Sequence, residues 1–559
     1  MYDLIIHNGT IVDGSGMPRY RGDVGIEGGK IAAIGKIRDS ARETIDADGH
    51  IVSPGLVDAH THMDAQVFWD ALGTCSCWHG VTSVVMGNCG FSLAPCGEKD
   101  KLLVMRNLER AEDISAEAMD KGITWSWDTF PEYLDAVDAL PKGINYVANV
   151  GHSALRTSVM GERAFEEPGS DDDIRAMESA LGRALQAGAI GFSTSLSNSH
   201  ETSDNRPVAS RLSTWEEVRR LVMAESKWGG VFQLAPGTFE DLEGLVEFYK
   251  RLEALAIESG VTTFVPALGA GGMALLPVLD EAAAQGGRLV GLTHSRGIIS
   301  IVISFETRLP FDRLAEWQPL RSLPVSEQRD ALRDASVRES LVAAAHRGDY
   351  GRSIGAEARP PNYNAMTVFL DPIGINPTVA EFAARRGVDP VEAIIDLALE
   401  TDMKQLFVQP VSSLANDEDA IEILKHPRTV MTFSDAGAHV SQVADSIQTH
   451  FLSYWVRERQ VFKLEEAVRM LTSVPASAWG FKDRGILREG FAADLNIFDP
   501  DHVGPNLPTV TADLPGGSKR LEQTAAGFLA TVVNGSVLIE DGEPTGAVPG
   551  KLLRRGRDT

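Results

Sequence analysis

A chain of 559 residues has room for one large domain and a smaller one. Its formal net charge of −26 argues against nucleic acid or an anionic membrane as the main partner. A hydrophobic share of 43% with 23% charged residues is that of an ordinary globular protein. The opening Met1-Tyr2-Asp3-Leu4-Ile5-Ile6 lacks the basic and long apolar regions of a signal peptide, and no run reaches the length of a membrane span. The four cysteines, Cys75, Cys77, Cys89 and Cys96, crowd into one short segment. That is no disulfide framework for so long a chain; reduced thiols and a cytoplasmic location are the expectation.

In chain order, residues 4–12 read as two strands joined at Asn8-Gly9, and residues 23–34 repeat the device around Glu27-Gly28-Gly29. The far end has the same texture, with residues 493–498 followed by a hairpin at Asn534-Gly535. The two ends are expected to form one small composite β-sandwich domain, residues 1–53 with 480–559. Pro505 to Gly527 reads as a surface excursion from it.

Between the ends, apolar strand-like runs alternate with amphipathic helices. The runs lie at 51–57, 81–86, 144–150, 189–193, 231–234, 261–265, 288–294 and 429–433. Ser170 caps a helix bearing Ile174, Met177, Leu181 and Leu185, with Asp171, Asp172 and Asp173 at its dipole-favoured first turn and Gly188 at its end. Thr214 with Glu217 matches a capping box. Further helices are expected over 242–257 and 273–284. Eight strands with helices between them spell an α/β fold, a (β/α)8 TIM-like barrel over residues 54–479. The stretch of about 297–427 is too long for a simple connection and is expected to be an insertion or lid, with helices at 379–386 and 391–400.

The first barrel strand ends in Asp58-Ala59-His60-Thr61-His62. Strand geometry turns His60 and His62 to one side and Thr61 to the other. Two imidazoles side by side on a rigid strand end are half of a metal site. The eighth strand delivers Phe433-Ser434-Asp435.

His-x-His on the first strand and Ser434-Asp435 on the eighth resemble the amidohydrolase superfamily. Residues 54–62, Gly87-Asn88-Cys89-Gly90, Gly151-His152-Ser153-Ala154-Leu155-Arg156 and residues 485–494 are similar to the N-acyl-D-amino-acid deacylase branch. The resemblance spans nearly the whole chain. It implies a barrel with a composite β-domain, a divalent metal (zinc before others) and hydrolysis of a non-peptide amide bond; one ion is the expectation for this chain. By the same resemblance His60, His62 and Cys89 match metal ligands. Asp435 matches the aspartate that touches the metal and takes a proton from water. Imidazole and thiolate suit zinc, and a carboxylate there is a ready general base.

Two departures stand out. The fifth strand, Val231-Phe232-Gln233-Leu234-Ala235, and the sixth, around Phe264-Val265-Pro266, lack the histidines that the family places there. The His-Pro-Arg turn that serves the substrate carboxylate is also missing after Asp435. His294, Arg296, Gln233 and His152 are the candidate substrate-binding residues, with His439 and His450 as further mouth residues. Cys75, Cys77 and Cys96 read as buried thiols, and Trp69, Trp78 and Trp455 as packing. The expected partner is a small molecule, and a homo-oligomer is left open. Also open are a lactam, carbamate, ester or carbon–carbon bond as target, a non-hydrolytic isomerase or lyase, and a metal-free binding protein.

Overall fold

The computed structural model describes residues 1–296, 300–411, 417–437 and 446–559. Eight parallel strands curl into one sheet: β1 (Leu56–Asp58), β2 (Val81–Met86), β3 (Asn145–Gly151), β4 (Gly191–Ser195), β5 (Val231–Ala235), β6 (Thr262–Pro266), β7 (Leu289–Thr293) and β8 (Thr429–Met431). Strands β2 to β5 are buried along their whole length, as near-continuous apolar runs must be when helices cover one face and barrel side chains the other. Closure comes one step beyond the sheet. His60–Thr61 pairs in parallel with Phe433–Ala436, the Ala59 amide donates to Thr432 Oγ1 at 2.6 Å, and the His62 amide donates to the Ala436 carbonyl at 2.7 Å. The result is the expected α/β barrel.

Inside the barrel, a cluster separate from the helix-facing core gathers Val57, Val147, Val231, Phe264, Leu292 and Val430 around Trp479. The Trp479 indole stacks on Phe264 with centroids 3.8 Å apart and planes 8° apart. Leu553 joins the same cluster because the C-terminal segment runs along β3: the Tyr146 amide donates to the Lys551 carbonyl and the Leu553 amide to that of Tyr146.

Strands from both ends of the chain share a nine-stranded sheet, apart from the barrel, in which Ile51–Pro54 and Leu495–Phe498 lie side by side. Asn534 and Gly535, both at positive φ, form the expected hairpin turn between Phe528–Val533 and Ser536–Glu540. The expectation at Asn8-Gly9 is corrected. Tyr2–Ile11 is one continuous strand with a bulge there, Asn8 taking φ 60° and its amide donating to Asp23 Oδ1. A β-carbon on Gly9 would lie 2.4 Å from Val52 Cγ2, so this glycine serves close packing rather than a turn. The sheet is stapled to the barrel by the buried Asp494, which accepts from Asn145 Nδ2 on β3, Arg484 Nε and the Asn534 amide.

Ser170 and Asp173 form a reciprocal cap on Asp171–Ala187, which ends at the left-handed Gly188. Thr214 accepts from the Glu217 amide as expected. The other half of that box does not form, because Glu217 turns inward to His152 and Arg156. The stretch between β7 and β8 carries its own core around Trp317, Phe311 and Ile394, a three-stranded sheet of Ser300–Ile303, Phe407–Pro410 and Thr367–Val368, and helices at Val379–Arg386 and Pro390–Glu400. All four cysteines are free and buried, and no described helix is long and apolar enough to cross a membrane.

Truncating the indole that fills the barrel floor should cost about 3–5 kcal/mol. Trp479→Ala should therefore lower the denaturant midpoint sharply, and a midpoint equal to that of the unaltered chain would mean that this stack does not hold the floor.

Candidate metal centre and active site

The pairing that closes the barrel also gathers its ionisable groups. His60 Nε2 and His62 Nε2 lie 3.2 Å and 3.5 Å from Asp435 Oδ1, and Cys89 Sγ lies 3.4 Å from His60 Nε2. His60, His62 and Cys89 each present a ligand atom within 4.8 Å of the other two. The four side chains come from three strand ends, those of β1, β2 and β8, and all are buried. Thr61 points away, its hydroxyl donating to the Val85 carbonyl.

Two of the four sit on unusual backbone. Cys89 has φ 52° and Asp435 φ 59°, the left-handed region that side chains with a β-carbon seldom take. Such conformations persist where the surroundings hold them. The Gly87–Gly90 turn is gripped by the Asp64 carboxylate on the Gly87 amide, Gln233 Oε1 on the Cys89 amide at 2.6 Å and Ser193 Oγ on the Gly90 amide at 2.9 Å. Asn88 Nδ2 ties the same turn to the Thr61 and Val85 carbonyls. At Asp435, the Ser434 hydroxyl accepts from the Ala436 amide. Asp58, just upstream, accepts from Gln448 Nε2 at 2.9 Å.

The local field favours positive charge. Burial alone would lower the His60 imidazole, but Cys89 and Asp435 beside it prevail and push it up to about 9. His62 is likewise held well above its ordinary value, burial being outweighed by Glu112, Asp435 and Cys89. Burial would raise Asp435, yet its hydrogen bonds to the two imidazoles keep it well below the usual carboxylate range. Asp64 is pushed up to about 7 by burial.

Glu112 is a residue that sequence reasoning missed. Its Oε2 lies 3.5 Å from His62 Nε2, and the side chain is 1% exposed. It belongs to no strand end; it follows the helix Lys101–Glu109, and nothing in Arg110-Ala111-Glu112-Asp113 marks it out.

His294 ends β7 with Nδ1 accepting from the Arg296 amide at 3.0 Å. Burial, then the Arg296 charge, push it down to about 3, so the imidazole is neutral and its Nε2 carries the proton. Arg296 donates to the Pro372 carbonyl and to Ser446 Oγ, both neutral acceptors; burial lowers it to about 10, which leaves it charged at neutral pH. His450 packs behind them with Nδ1 3.1 Å from Ser295 Oγ, and Trp455 Nε1 donates to the Ser295 carbonyl. His152 lies apart from this group. Nδ1 meets Thr194 Oγ1 at 2.8 Å and Nε2 meets Glu217 Oε1 at 3.0 Å, so both ring nitrogens are taken up inside a buried network with Arg156. His439 lies outside the described residues.

Comparison with known proteins fits this architecture. The amidohydrolase family model matches residues 43–253 and 332–539. A D-aminoacylase from Alcaligenes xylosoxydans xylosoxydans is 28% identical over 567 residues, covering 99% of this chain and 98% of its own. An N-acyl-D-glutamate deacylase from the same organism is 29% identical over 564 residues, covering 99% and 96%. The crystal structure of N-acyl-D-glutamate deacylase from Bordetella bronchiseptica, complexed with zinc and a phosphonate inhibitor, superposes with a TM-score of 0.63 at 25% identity, covering 99% of each chain. With most of its length matched by the family model and its fold shared by such a structure, the chain belongs to the amidohydrolase family.

Proposed function

We propose that this amidohydrolase cleaves the amide bond of an N-acyl amino acid, of the D series named by its relatives, with a divalent cation held by His60, His62, Cys89 and Asp435. The observation that carries the reading is the convergence of two imidazole nitrogens, a thiol sulfur and a carboxylate oxygen in one buried, electronegative spot. Imidazole and thiolate together select zinc over magnesium or calcium, so the donor set fits the zinc of the Bordetella deacylase. Bound there, such an ion supplies Lewis acidity, acidifying water and polarising a carbonyl.

The chain's own groups do the rest. Asp435, a carboxylate within 3.5 Å of both imidazoles, accepts the proton of the attacking water and returns it to the leaving nitrogen. His294, neutral and protonated at Nε2, donates a hydrogen bond to the oxygen on which charge develops. Arg296, whose partners among the described residues are a carbonyl and a hydroxyl, takes the substrate's carboxylate in place of the missing basic turn after Asp435. Its charge, half out of water, attracts a carboxylate more strongly than a neutral amide. His152 acts at one remove, anchoring β3 against the Glu217 helix.

Asp435→Ala should lower turnover by at least about 10²–10⁴-fold while leaving metal content measured by elemental analysis largely intact; retained turnover would end the general-base role. Arg296→Met should raise KM for N-acyl amino acids by roughly 10–100-fold, the worth of a charge-assisted hydrogen bond or two, and leave neutral amides unaffected. Equal losses on both substrate classes would remove Arg296 from carboxylate recognition.

A further inference from the structure

Gln233 lies in the middle of the fifth strand, which carries no histidine, and its own contacts decide what it can do there. Its Oε1 accepts the Cys89 amide at 2.6 Å. A backbone N–H can only donate, so the carboxamide is held with its oxygen toward Cys89. That oxygen is turned to the Cys89 amide, which takes one of its two lone pairs, and the amide nitrogen beside it is a donor without a lone pair to offer a cation. Nε2 is buried and meets no acceptor among the described residues, although the side chain is only 1% exposed. Buried amide donors are almost always paired, so a bare one beside a reactive cluster marks a place for an oxygen that is not the protein's.

The same bond bears on Cys89. The residue stands at φ 52° between Gly87 and Gly90, themselves at φ 80° and 78°. Ser193 and Gln233 are direct neighbours across β4 and β5, and they hold the Gly90 and Cys89 amides in turn. Two adjacent strands thus grip two consecutive amides of the turn that aims the thiol at His60.

Resting on the hydrolase reading above, we infer that Gln233 positions Cys89 through Oε1 and donates through Nε2 to the oxygen of the scissile carbonyl. The fifth strand then supplies a hydrogen-bond donor and no metal ligand, and the centre holds a single ion. No proton changes owner at Gln233: the N–H bond stays whole while the carbonyl oxygen gains negative charge, and the hydrogen bond shortens as that charge develops.

The test uses the full-length protein loaded with cobalt(II), whose absorption includes a thiolate-to-cobalt charge-transfer band when a cysteine is bound. The unaltered protein should show that band and one cobalt per chain; two per chain would overturn the single-ion assignment. Gln233→Met removes both contacts and should weaken or shift the band, whereas an unchanged band would overturn the positioning role. Gln233→Glu keeps an acceptor for the Cys89 amide and should keep the band, while kcat falls about 10²–10³-fold, the usual effect of losing one oxyanion donor, with KM roughly unchanged. An unreduced kcat in Gln233→Glu would overturn the donor role, and this variant decides the matter even if Gln233→Met fails to fold. A cobalt-loaded unaltered protein without the band would instead remove Cys89 from the centre and take the functional reading with it.

Discussion

The structure depends on one seam, where the backbone of His60–Thr61 meets that of Phe433–Ala436. A barrel has no edge strand only if its first and last strands meet, and here they meet through two short extensions rather than along β1 and β8 themselves. The extensions carry His60, His62 and Asp435, so the hydrogen bonds that close the fold are also those that bring both imidazoles within 3.5 Å of the Asp435 carboxylate. Closing the barrel and assembling the site are a single event.

That event places charge where charge is expensive. Several ionisable side chains lie out of water at the seam, and an uncompensated ion in such a place costs several kcal/mol. The neighbours share the load: the imidazoles keep Asp435 ionised, and the carboxylates with Cys89 keep the imidazoles basic. A divalent cation in the proposed role would relieve the same excess of negative charge. The strained backbone at Cys89 and Asp435 belongs to this picture, since the apolar floor around Trp479 and the amide grips on the Gly87–Gly90 turn supply the rigidity that holds it.

Several local motifs had two meanings, and only their surroundings chose between them. Thr214 and Glu217 stand at capping-box spacing, yet the carboxylate has a stronger partner in the buried Arg156 and His152 and leaves the helix end. Asn8-Gly9 and Asn534-Gly535 are the same dipeptide. The first sits where Val52 presses on the strand and becomes a bulge; the second, with Asn534 and Gly535 both at positive φ, turns the chain between two paired strands. Arg296 shows the converse, a surface-type residue half-buried at the end of β7 against neutral acceptors, a setting no periodicity announces.

The alternation of apolar runs with helical spacing was enough to write down the barrel, because a parallel strand buried on both faces must be apolar throughout and the helix over it must be amphipathic. His60 and His62 were legible as two imidazoles on one side of a strand end, and Cys89 and Asp435 through the family resemblance; each of the four closes a strand, and strand ends of a barrel converge. Glu112 was not legible, since it approaches His62 from an irregular segment whose path is set by packing alone. Nor were the commitments of Gln233 and His152, whose polar atoms are claimed by residues 144 and 65 positions away in sequence. Periodicity is a property of neighbours along the chain and can be read from it. The partner of a buried polar atom is chosen by whatever the folded core brings within about 3 Å, and that only the tertiary structure decided.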